Sequence, residues 1–268
     1  MLSNDRAPGD LDVDDLFSIR GKCALVTGGG SGIGWMIANG YARAGARVYI
    51  ASRKRAELDA RIAELGEAGD CRAIEADLSS EAGCNALGDE LERREPKLHI
   101  LVNNAGANWG APFAEYPESA WDRVLDVNVK AVFALTRRLT PMLERAACDD
   151  DPARVVNVGS VDGINVPALQ TWAYGASKAA VHHLTRMLAR ELAARRITVN
   201  AVAPGPFQSR MMRSTLERLG DRVAELVPLG RIGRPDDMAG VAIFLASRAG
   251  AFVDAALIPV DGGITGTR

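Results

Sequence analysis

The sequence predicts an α/β fold in one domain, built on a doubly wound parallel sheet of about seven strands. Two features of the sequence lead to this prediction. Short apolar runs of three to six residues recur along the chain, and stretches with helical periodicity separate them. A cluster of glycines also follows the first apolar run directly, which is typical of a tight turn between a buried strand and a helix.

The apolar runs are rich in Val, Ile and Leu, as strands buried on both faces of a parallel sheet require. They predict strands at Cys23–Val26, Val48–Ala51, Ile100–Val102, Val155–Val158, Ile197–Val202 and Ala256–Val260, with a weaker seventh at Cys71–Ala76. Helical periodicity predicts helices from near Trp35 and at Ala56–Leu65, Trp121–Leu139 and Lys178–Ala194. Sheets of this kind bind ligands at the carboxyl ends of their strands, so we expect the functional residues there.

The charge balance argues against several classes of partner. The chain has 268 residues, with 32 Lys and Arg against 34 Asp and Glu and a net charge of −2. Binding to nucleic acids or to anionic membranes depends on an excess of basic residues, so we expect neither partner. The uncharged stretch 23–42 contains six glycines, which disfavour a continuous membrane-spanning helix. Without a visible secretory signal, we expect a cytoplasmic protein.

The cysteines and two acidic stretches of the chain suggest no further site. The four cysteines are scattered, without a C-x-x-C pair or a histidine at metal-ligand spacing, so we predict reduced thiols and no metal site. Residues 1–20 are interpreted as an acidic N-terminal extension, and residues 21–268 as the folded domain. The acidic run 148–152 is interpreted as a solvated loop without a function.

The glycine cluster has the pattern T-G-x-x-x-G-x-G and runs from Thr27 to Gly34. Such glycines would bring backbone N–H groups against a diphosphate at the N-terminus of the next helix. The spacing is neither G-x-G-x-x-G nor the G-x-x-x-x-G-K-[ST] of phosphate-binding ATPases. From this motif alone, a plain glycine-rich turn is the alternative.

Tyr174 and Lys178 stand four residues apart, which places them on one face of a helix. A nearby ammonium stabilises a phenolate and lowers the phenol pKa from about 10, which suits proton transfer at neutral pH. Alone, such a pair is common on helix surfaces. With Ser160 after the fifth strand, Asn128 in a helix and the glycine pattern, the chain resembles the short-chain dehydrogenases/reductases from Gly21 onward.

The resemblance implies a Rossmann-type domain that transfers hydride between a nicotinamide and a carbonyl or secondary alcohol. It also implies four catalytic residues. Tyr174 would donate a proton to the carbonyl oxygen, and Ser160 would hydrogen-bond the same oxygen. Lys178 would hold the nicotinamide ribose and lower the pKa of Tyr174. Asn128 would position a water that connects Lys178 to solvent.

The cofactor is predicted from the residues after the second strand, Ser52, Arg53 and Lys54. An acidic residue here would bind the ribose hydroxyl of NAD, whereas an Arg accommodates the 2′-phosphate of NADP. The sequence therefore favours NADP(H), with a solvated basic helix start as the alternative. Many NADP-using relatives carry a second basic residue in the glycine loop, where this chain has Ser31, so we expect a moderate preference.

Further cofactor contacts follow from the resemblance. Asp77 would contact the adenine amino group, although alone it would be a helix cap. Ser209 stands where Thr is usual. The complete implied cofactor set is Thr27, Gly28, Gly30, Ser31, Gly32, Ile33, Gly34, Ser52, Arg53, Lys54, Asp77, Leu78, Asn104, Ala105, Gly106, Tyr174, Lys178, Pro204, Gly205, Phe207 and Ser209.

The substrate is predicted from local likeness. Three stretches resemble bacterial 3-oxoacyl (β-ketoacyl) reductases of the rhamnolipid type, which implies a 3-oxoacyl thioester substrate: Gly69–Ile74, Ala76–Gly83 and Asn108–Ala111. Trp109, Trp172 and Met211 are candidate substrate contacts, with core packing as the alternative. A substrate-covering segment is predicted at about 205–230. Sugars, steroids and small ketones are open alternatives, because similar sequences reduce them.

Other activities fit less well. A hydrolase would need a serine on a G-x-S-x-G elbow, and Ser160 does not lie in one. The helical pair His182 and His183 is interpreted as packed or exposed imidazoles. Enoyl-type reductases have a wider Tyr-to-Lys spacing, which would put their lysine at Val181. A dinucleotide sensor would have lost the Tyr or the Lys of the catalytic pair, and both are present.

The resemblance also implies assembly. Members of the family are typically homotetramers or homodimers, so we expect one of these states for this chain. The apolar run Ala255–Val260 fits burial at such an interface and fits a core strand equally well. We see no basic cluster dedicated to an acyl carrier protein, so that partner stays open.

Overall fold

The structure is a computed structural model, and it describes residues 12–167, 169–209, 212 and 222–267. The predicted substrate contact Met211 and most of the middle of the predicted segment 205–230 lie outside the described residues. Within residues 12–20, a short helix, α1 (Val13–Phe17), is capped by the Asp12 side chain, which accepts hydrogen bonds from the N–H groups of Asp14 and Asp15.

Seven parallel strands form one sheet in the described part of the chain, in the order β3-β2-β1-β4-β5-β6-β7. The strands are β1 (Cys23–Thr27), β2 (Arg47–Ser52), β3 (Asp70–Glu75), β4 (Ile100–Asn103), β5 (Ala153–Val158), β6 (Ile197–Pro204) and β7 (Leu257–Val260). All seven predicted strands, including the weaker one, are confirmed. Because the chain first builds outward from β1 and then returns to β4 on its other side, a crevice opens at the carboxyl ends of β1 and β4.

Helices cover both faces of the sheet. They are α2 (Gly32–Arg43), α3 (Arg55–Leu65), α4 (Glu81–Arg94), α5 (Glu118–Leu125), α6 (Ala131–Glu144), α7 (Trp172–Leu192), α8 (Arg222–Glu225) and α9 (Pro235–Ala246). The predicted helix Trp121–Leu139 is wrong in one respect, because a π-helical turn at Asp126–Lys130 separates α5 from α6. The helix predicted from Lys178 begins earlier, at Trp172, so Tyr174 lies in its first turn.

The alternation of side chains along β1 divides the core into two layers. Ala24 and Val26 join a cluster with residues of α2 and α9, such as Ile37 and Leu245. Cys23 and Leu25 face the opposite cluster, which contains residues of α4, α6 and α7. Helices thus cover the two faces of the sheet. Polar groups lie at its two edges, where the strands begin and where they end.

A buried cation occupies the edge where the strands begin. Arg154, at the start of β5, is 1% exposed and donates hydrogen bonds to the backbone oxygens of Leu245 (3.0 Å) and Ser247 (2.9 Å). Its Nη2 pairs with Asp151 at 2.9 Å, and Lys22 Nζ pairs with the same carboxylate at 2.6 Å. The interpretation of 148–152 as a solvated loop is therefore wrong for Asp151.

Two absences concern the described residues only. None of the helices that the structure describes is long and apolar enough to span a membrane. In the same residues, no group of three or more His, Cys, Asp and Glu side chains is arranged to hold a metal ion.

Candidate active site

The glycine loop joins β1 to α2 and leaves no room for a side chain at Gly28 or Gly34. Gly28 and Gly32 have φ angles of +64° and +53°, in the left-handed region that favours glycine. A Cβ atom on Gly28 would lie 2.8 Å from Asn104 Nδ2, and a Cβ on Gly34 would overlap the same amide. The glycines therefore let the loop pack directly against Asn104 at the carboxyl ends of β1 and β4, where dinucleotide-binding sheets hold their ligand.

The N-terminus of α2 is suited to an anion. Ser31, its N-cap residue, makes no side-chain capping hydrogen bond. By contrast, the Ser80 side chain accepts a hydrogen bond from the N–H of Gly83 at the start of α4. The first N–H groups of α2 thus lack the serine acceptor that α4 has, and a phosphate oxygen would satisfy them.

Thr27 ties the glycine loop to the end of β4. Its hydroxyl donates to Val102 O (3.2 Å) and accepts from the N–H groups of Asn104 (2.9 Å) and Ala105 (3.0 Å). The Asn104 amide donates in turn to Thr27 O (2.8 Å). These bonds hold the residues from Asn104 to Gly106 against the glycine loop, on the same side of the crevice.

The residues predicted for the adenosine end lie after β2 and β3. Arg53 and Lys54 are both exposed, and Lys54 Nζ pairs with Glu57 at 2.9 Å. Asp77 accepts a hydrogen bond from the N–H of Ser79 at 3.0 Å, which lowers the pKa of its carboxyl, and the charge of Arg53 adds a smaller effect in the same direction. Leu78 beside it is buried. The guanidinium of Arg53 thus faces the same region as Asp77.

Tyr174, Lys178 and Ser160 come together after β5. Lys178 Nζ lies 5.5 Å from the centre of the Tyr174 ring and donates to Val158 O at 2.7 Å. Burial lowers the pKa of Lys178 to about 8. Burial also raises the pKa of Tyr174 to about 12, opposite to the lowering expected from Lys178, although a hydrogen bond with the Ser160 side chain acts to lower it. The Ser160 hydroxyl also accepts from the N–H of Asp162 at 3.1 Å.

Asn128 lies in the π-helical turn and is fully buried. Its Oδ1 accepts from the N–H of Ala107 (2.7 Å), and its Nδ2 donates to Ala107 O (3.0 Å) and to Ser177 Oγ (2.9 Å). Both amide N–H groups are therefore used within the protein. The side chain connects the segment after β4 to α7, next to Lys178.

Comparisons with known proteins place the chain in a family. A family model described as enoyl-(acyl carrier protein) reductase matches residues 28–265. The rhamnolipids biosynthesis 3-oxoacyl-[acyl-carrier-protein] reductase of Pseudomonas aeruginosa is 49% identical over 249 residues, covering 92% of this chain and 97% of that protein. The chain belongs to the short-chain dehydrogenase/reductase family. It is an NAD(P)-dependent oxidoreductase.

Other members of the family extend this likeness. The solved RhlG/NADP active-site complex of Pseudomonas aeruginosa superposes with a TM-score of 0.91 at 48% identity, covering 94% of this chain and 99% of that one. Galactitol 2-dehydrogenase (L-tagatose-forming) of Cereibacter sphaeroides is 39% identical over 260 residues, covering 95% and 99%. The description of the matching family model names an enoyl reductase. Enoyl-type reductases have a wider spacing between the catalytic Tyr and Lys, which would place the lysine at position 181. This chain has a buried valine there, Val181.

Aromatic side chains flank the first turn of α7 in this short-chain dehydrogenase/reductase. Trp109 and Trp172 are 41% and 42% exposed, so neither is a core residue. Trp172 Nε1 donates to Ala111 O at 3.2 Å, and its ring packs edge-to-face on Phe113 at 5.5 Å. Tyr116 also accepts a hydrogen bond from the N–H of Ala173 through its hydroxyl, at 3.3 Å. The result is an exposed apolar surface two residues from Tyr174.

The last predicted cofactor residues follow β6. Pro204 is the final residue of the strand, and the N–H of Gly205 donates to Val260 O at 3.0 Å. Phe207 is buried and forms an isolated parallel bridge with Gly233. Ser209 lies close to the glycine loop, since a Cβ atom on Gly32 would be 3.1 Å from the Cβ of Ser209. Ser209 thus brings the segment after β6 next to the glycine loop.

The sequence predicted a packed or exposed imidazole for His182 and no link to the site, and the structure places it behind Ser160. It is buried, and its Nε2 accepts from the N–H of Ser160 at 3.4 Å. Burial, helped by the charge of Lys178, lowers the pKa of His182 to about 4, so the imidazole is neutral at pH 7. A Cβ on Gly163 would lie 2.7 Å from the ring, and one on Gly159 would overlap it. The glycines at 159 and 163 were the available signal for a close neighbour.

Proposed function

We propose that this chain is an NADPH-dependent reductase that converts a 3-oxoacyl thioester to the 3-hydroxyacyl thioester. The observation that carries the proposal is the grouping of Ser160, Tyr174 and Lys178 at the carboxyl edge of the sheet, beside the glycine loop. The substrate class is supported by the 49% identity to a protein named a 3-oxoacyl-[acyl-carrier-protein] reductase.

The described residues fit a dinucleotide. The glycine-rich backbone from Gly28 to Gly34 and the uncapped start of α2 would hold the diphosphate. Asp77 and Leu78 would hold the adenine, and the segment from Asn104 to Gly106 would line the centre of the cofactor. Four residues after β6 would face the nicotinamide: Pro204, Gly205, Phe207 and Ser209.

The choice of NADPH rests on charge. Arg53 is exposed and makes no hydrogen bond or ion pair with the described residues, so its guanidinium is available to a 2′-phosphate. Lys54 Nζ pairs with Glu57 at 2.9 Å, so Arg53 is the less engaged of these two cations. NADP is the ligand in the complex of the 48% identical structure, which supports the same choice.

The proposed chemistry divides between cofactor and protein. When bound, the reduced nicotinamide supplies the hydride that adds to the carbonyl carbon. Tyr174 donates its phenolic proton to the carbonyl oxygen, and Ser160 stabilises the charge that develops on that oxygen by a hydrogen bond. A pKa of about 12 keeps Tyr174 protonated, and ready to donate, at neutral pH.

Lys178 and Asn128 support the proton transfer. With a pKa of about 8, Lys178 is mostly charged at pH 7. Its ammonium stabilises the phenolate that forms when Tyr174 gives up its proton. Because this charge is lost as the pH rises through about 8, the support weakens in alkaline solution. Asn128 holds α7 and the segment after β4 in register around Lys178.

The surface beside Tyr174 favours an apolar substrate stem. Trp109, Phe113 and Trp172 expose aromatic area close to the proton donor, and burying such area against an acyl chain is favourable. A sugar is polar and would bury less of this aromatic area, so it would gain less from binding there. We therefore assign the acyl chain to this aromatic surface.

Binding and turnover measured separately test the proposal. NADPH and NADH are titrated into the full chain by fluorescence, and NADPH oxidation is then followed with a 3-oxoacyl thioester and with a panel of ketoses. We expect tighter binding of NADPH and turnover with the thioester. Turnover with ketoses alone would overturn the substrate class, and tighter binding of NADH would overturn the cofactor choice.

We also infer the state in which the enzyme works. A single catalytic domain from residue 21 onward would assemble as a homotetramer or homodimer in the cytoplasm. Apolar side chains exposed on three elements support assembly: Phe133 on α6, Met187 on α7 and Phe252 before β7. The cysteines are present as thiols, which agrees with a reducing compartment.

A further inference from the structure

Arg61 reaches from α3 to the glycine loop and is held there by three contacts. Its Nε donates to Gly30 O at 3.3 Å. Its guanidinium carbon lies 5.6 Å from the centre of the Trp35 ring, in a cation–π arrangement. Its Nη1 pairs with Glu64, one turn further along α3. A long side chain that would otherwise be free in solvent is thus ordered over the loop.

This position is next to Ser31. Arg61 and Ser31 both line one cleft of about 1080 Å³, together with Gly32 and Trp35. Gly30 also adjoins the end of β2, because a Cβ atom on it would lie 3.7 Å from Ser52 Oγ. Arg61 therefore approaches Gly30 from α3. Arg53 lies in the loop after β2, directly after Ser52, which also adjoins Gly30.

A phosphate monoester carries close to two negative charges at pH 7, and a single exposed arginine neutralises only one of them. The glycine loop offers no cation of its own, since Ser31 is uncharged. Arg61 has Nη2 free of hydrogen bonds to the described residues, and a planar guanidinium can present it to a phosphate oxygen. NADH has a hydroxyl in place of this phosphate and gains nothing from a second cation.

We propose that Arg61 is the second cation for the 2′-phosphate of NADPH, and that with Arg53 it determines the preference for NADPH over NADH. This assignment rests on the NADPH-dependent function proposed above. It places the basic residue that the glycine loop lacks on the neighbouring helix, where Trp35 and Gly30 hold it in place.

The test measures binding rather than turnover. The dissociation constants of NADPH, NADH and 2′,5′-ADP are determined by fluorescence titration and competition for the full chain and for Arg61→Gln. We expect the variant to bind NADPH and 2′,5′-ADP about tenfold more weakly, which corresponds to about 1.4 kcal/mol. The dissociation constant of NADH should change less than twofold.

Two further variants separate a phosphate contact from loop support. Arg55→Gln removes another arginine of α3, which pairs with Asp59 on the helix surface, and should leave all three constants unchanged. Ser31→Arg combined with Arg61→Gln puts a cation back into the loop and should restore tight NADPH binding. A thermal melt of each variant checks that the fold is intact.

The outcomes distinguish the two proposals. If the wild-type chain prefers NADPH and Arg61→Gln leaves that preference unchanged, the role of Arg61 is overturned and the proposed function stands. If Arg61→Gln weakens NADPH and NADH equally, Arg61 only supports the loop and its assignment is again overturned. If the wild-type chain prefers NADH, both the cofactor choice and the assignment of Arg61 fail.

Discussion

Ser160 is held at its main chain and at its side chain by different groups. The hydroxyl accepts from the N–H of Asp162, whereas the Ser160 N–H donates to a neutral, buried imidazole on α7. His182 lies one helical turn after Lys178, so α7 supplies the predicted proton donor, its supporting cation and the acceptor behind Ser160. Small shifts of a group that contacts the reacting oxygen have large effects on rate.

Replacing His182 tests whether this acceptor positions Ser160. His182→Leu keeps the bulk of the side chain but removes the acceptor, and we expect kcat to fall about tenfold while KM changes little. His182→Gln places an amide oxygen near the Nε2 position and should recover most of kcat. Steady-state kinetics measure kcat and KM. The dissociation constant of NADPH is measured alongside and should not change.

The adjacent histidine provides the control. His183 is exposed on the same helix, so His183→Leu and His183→Gln should both keep wild-type kinetics. Equal losses in His182→Leu and His182→Gln would mean that the ring matters for packing alone and that the hydrogen bond to Ser160 does not contribute.

At the scale of elements, the loop before β5 joins three parts of the chain. Asp151 pairs with Arg154 at the start of β5 and with Lys22 before β1, while Arg154 and Lys22 also donate to carbonyls at the end of α9. Burial lowers the pKa of Lys22, which Asp151 counteracts. The Asp151 carboxylate, shared by Lys22 and Arg154 at the edge of the sheet where the strands begin, thus stabilises the packing of α9 on the sheet.

Asp151→Asn should be strongly destabilising, because it leaves a fully buried guanidinium without its counter-ion. We expect the free energy of unfolding at pH 7 to fall by about 3 kcal/mol. Asp149→Asn is the matched control in the same loop, since Asp149 pairs with Arg196 at the surface and should cost less than about 1 kcal/mol. Urea unfolding at a fixed protein concentration measures both, and equal small losses would contradict the argument.

At the scale of the whole molecule, apolar side chains are exposed on two separate surfaces. Phe133 and Met187 are 44% and 58% exposed on α6 and α7. Phe252 is fully exposed beside β7, an edge strand whose Leu257 and Ile258 are only partly buried. Exposed apolar side chains can mark interaction surfaces in soluble proteins, and a second copy of the chain would cover them.

Charges placed on these surfaces test the assembly. If copies associate through both, Phe252→Asp and Phe133→Asp should each halve the mass of a tetramer, because each disrupts one of the two interfaces. The double variant should be monomeric. Light scattering coupled to size exclusion measures the mass at micromolar concentrations, and a wild-type monomer would contradict the inferred assembly.

The sequence by itself determined the strands, the glycine loop and the helical spacing of Tyr174 and Lys178. These depend on interactions between near neighbours: the periodicity of apolar residues, the positive φ angles at Gly28 and Gly32, and the helical turn. The doubly wound parallel arrangement followed from the same periodicity, since alternating strands and helices admit few topologies.

Only the tertiary structure decided the rest of the candidate site. Local patterns contain no signal for the π-helical turn that carries Asn128, and the glycines at 159 and 163 indicate a close neighbour without identifying it. Three contacts came from the tertiary structure alone: the imidazole of His182 behind Ser160, the guanidinium of Arg61 over Gly30 and the pairing of Asp151 with Lys22. In these three, the partners stand 22 to 129 residues apart in the chain. Their contacts arise because strands that end at one edge of a sheet bring distant segments together, and burial then sets which groups are charged.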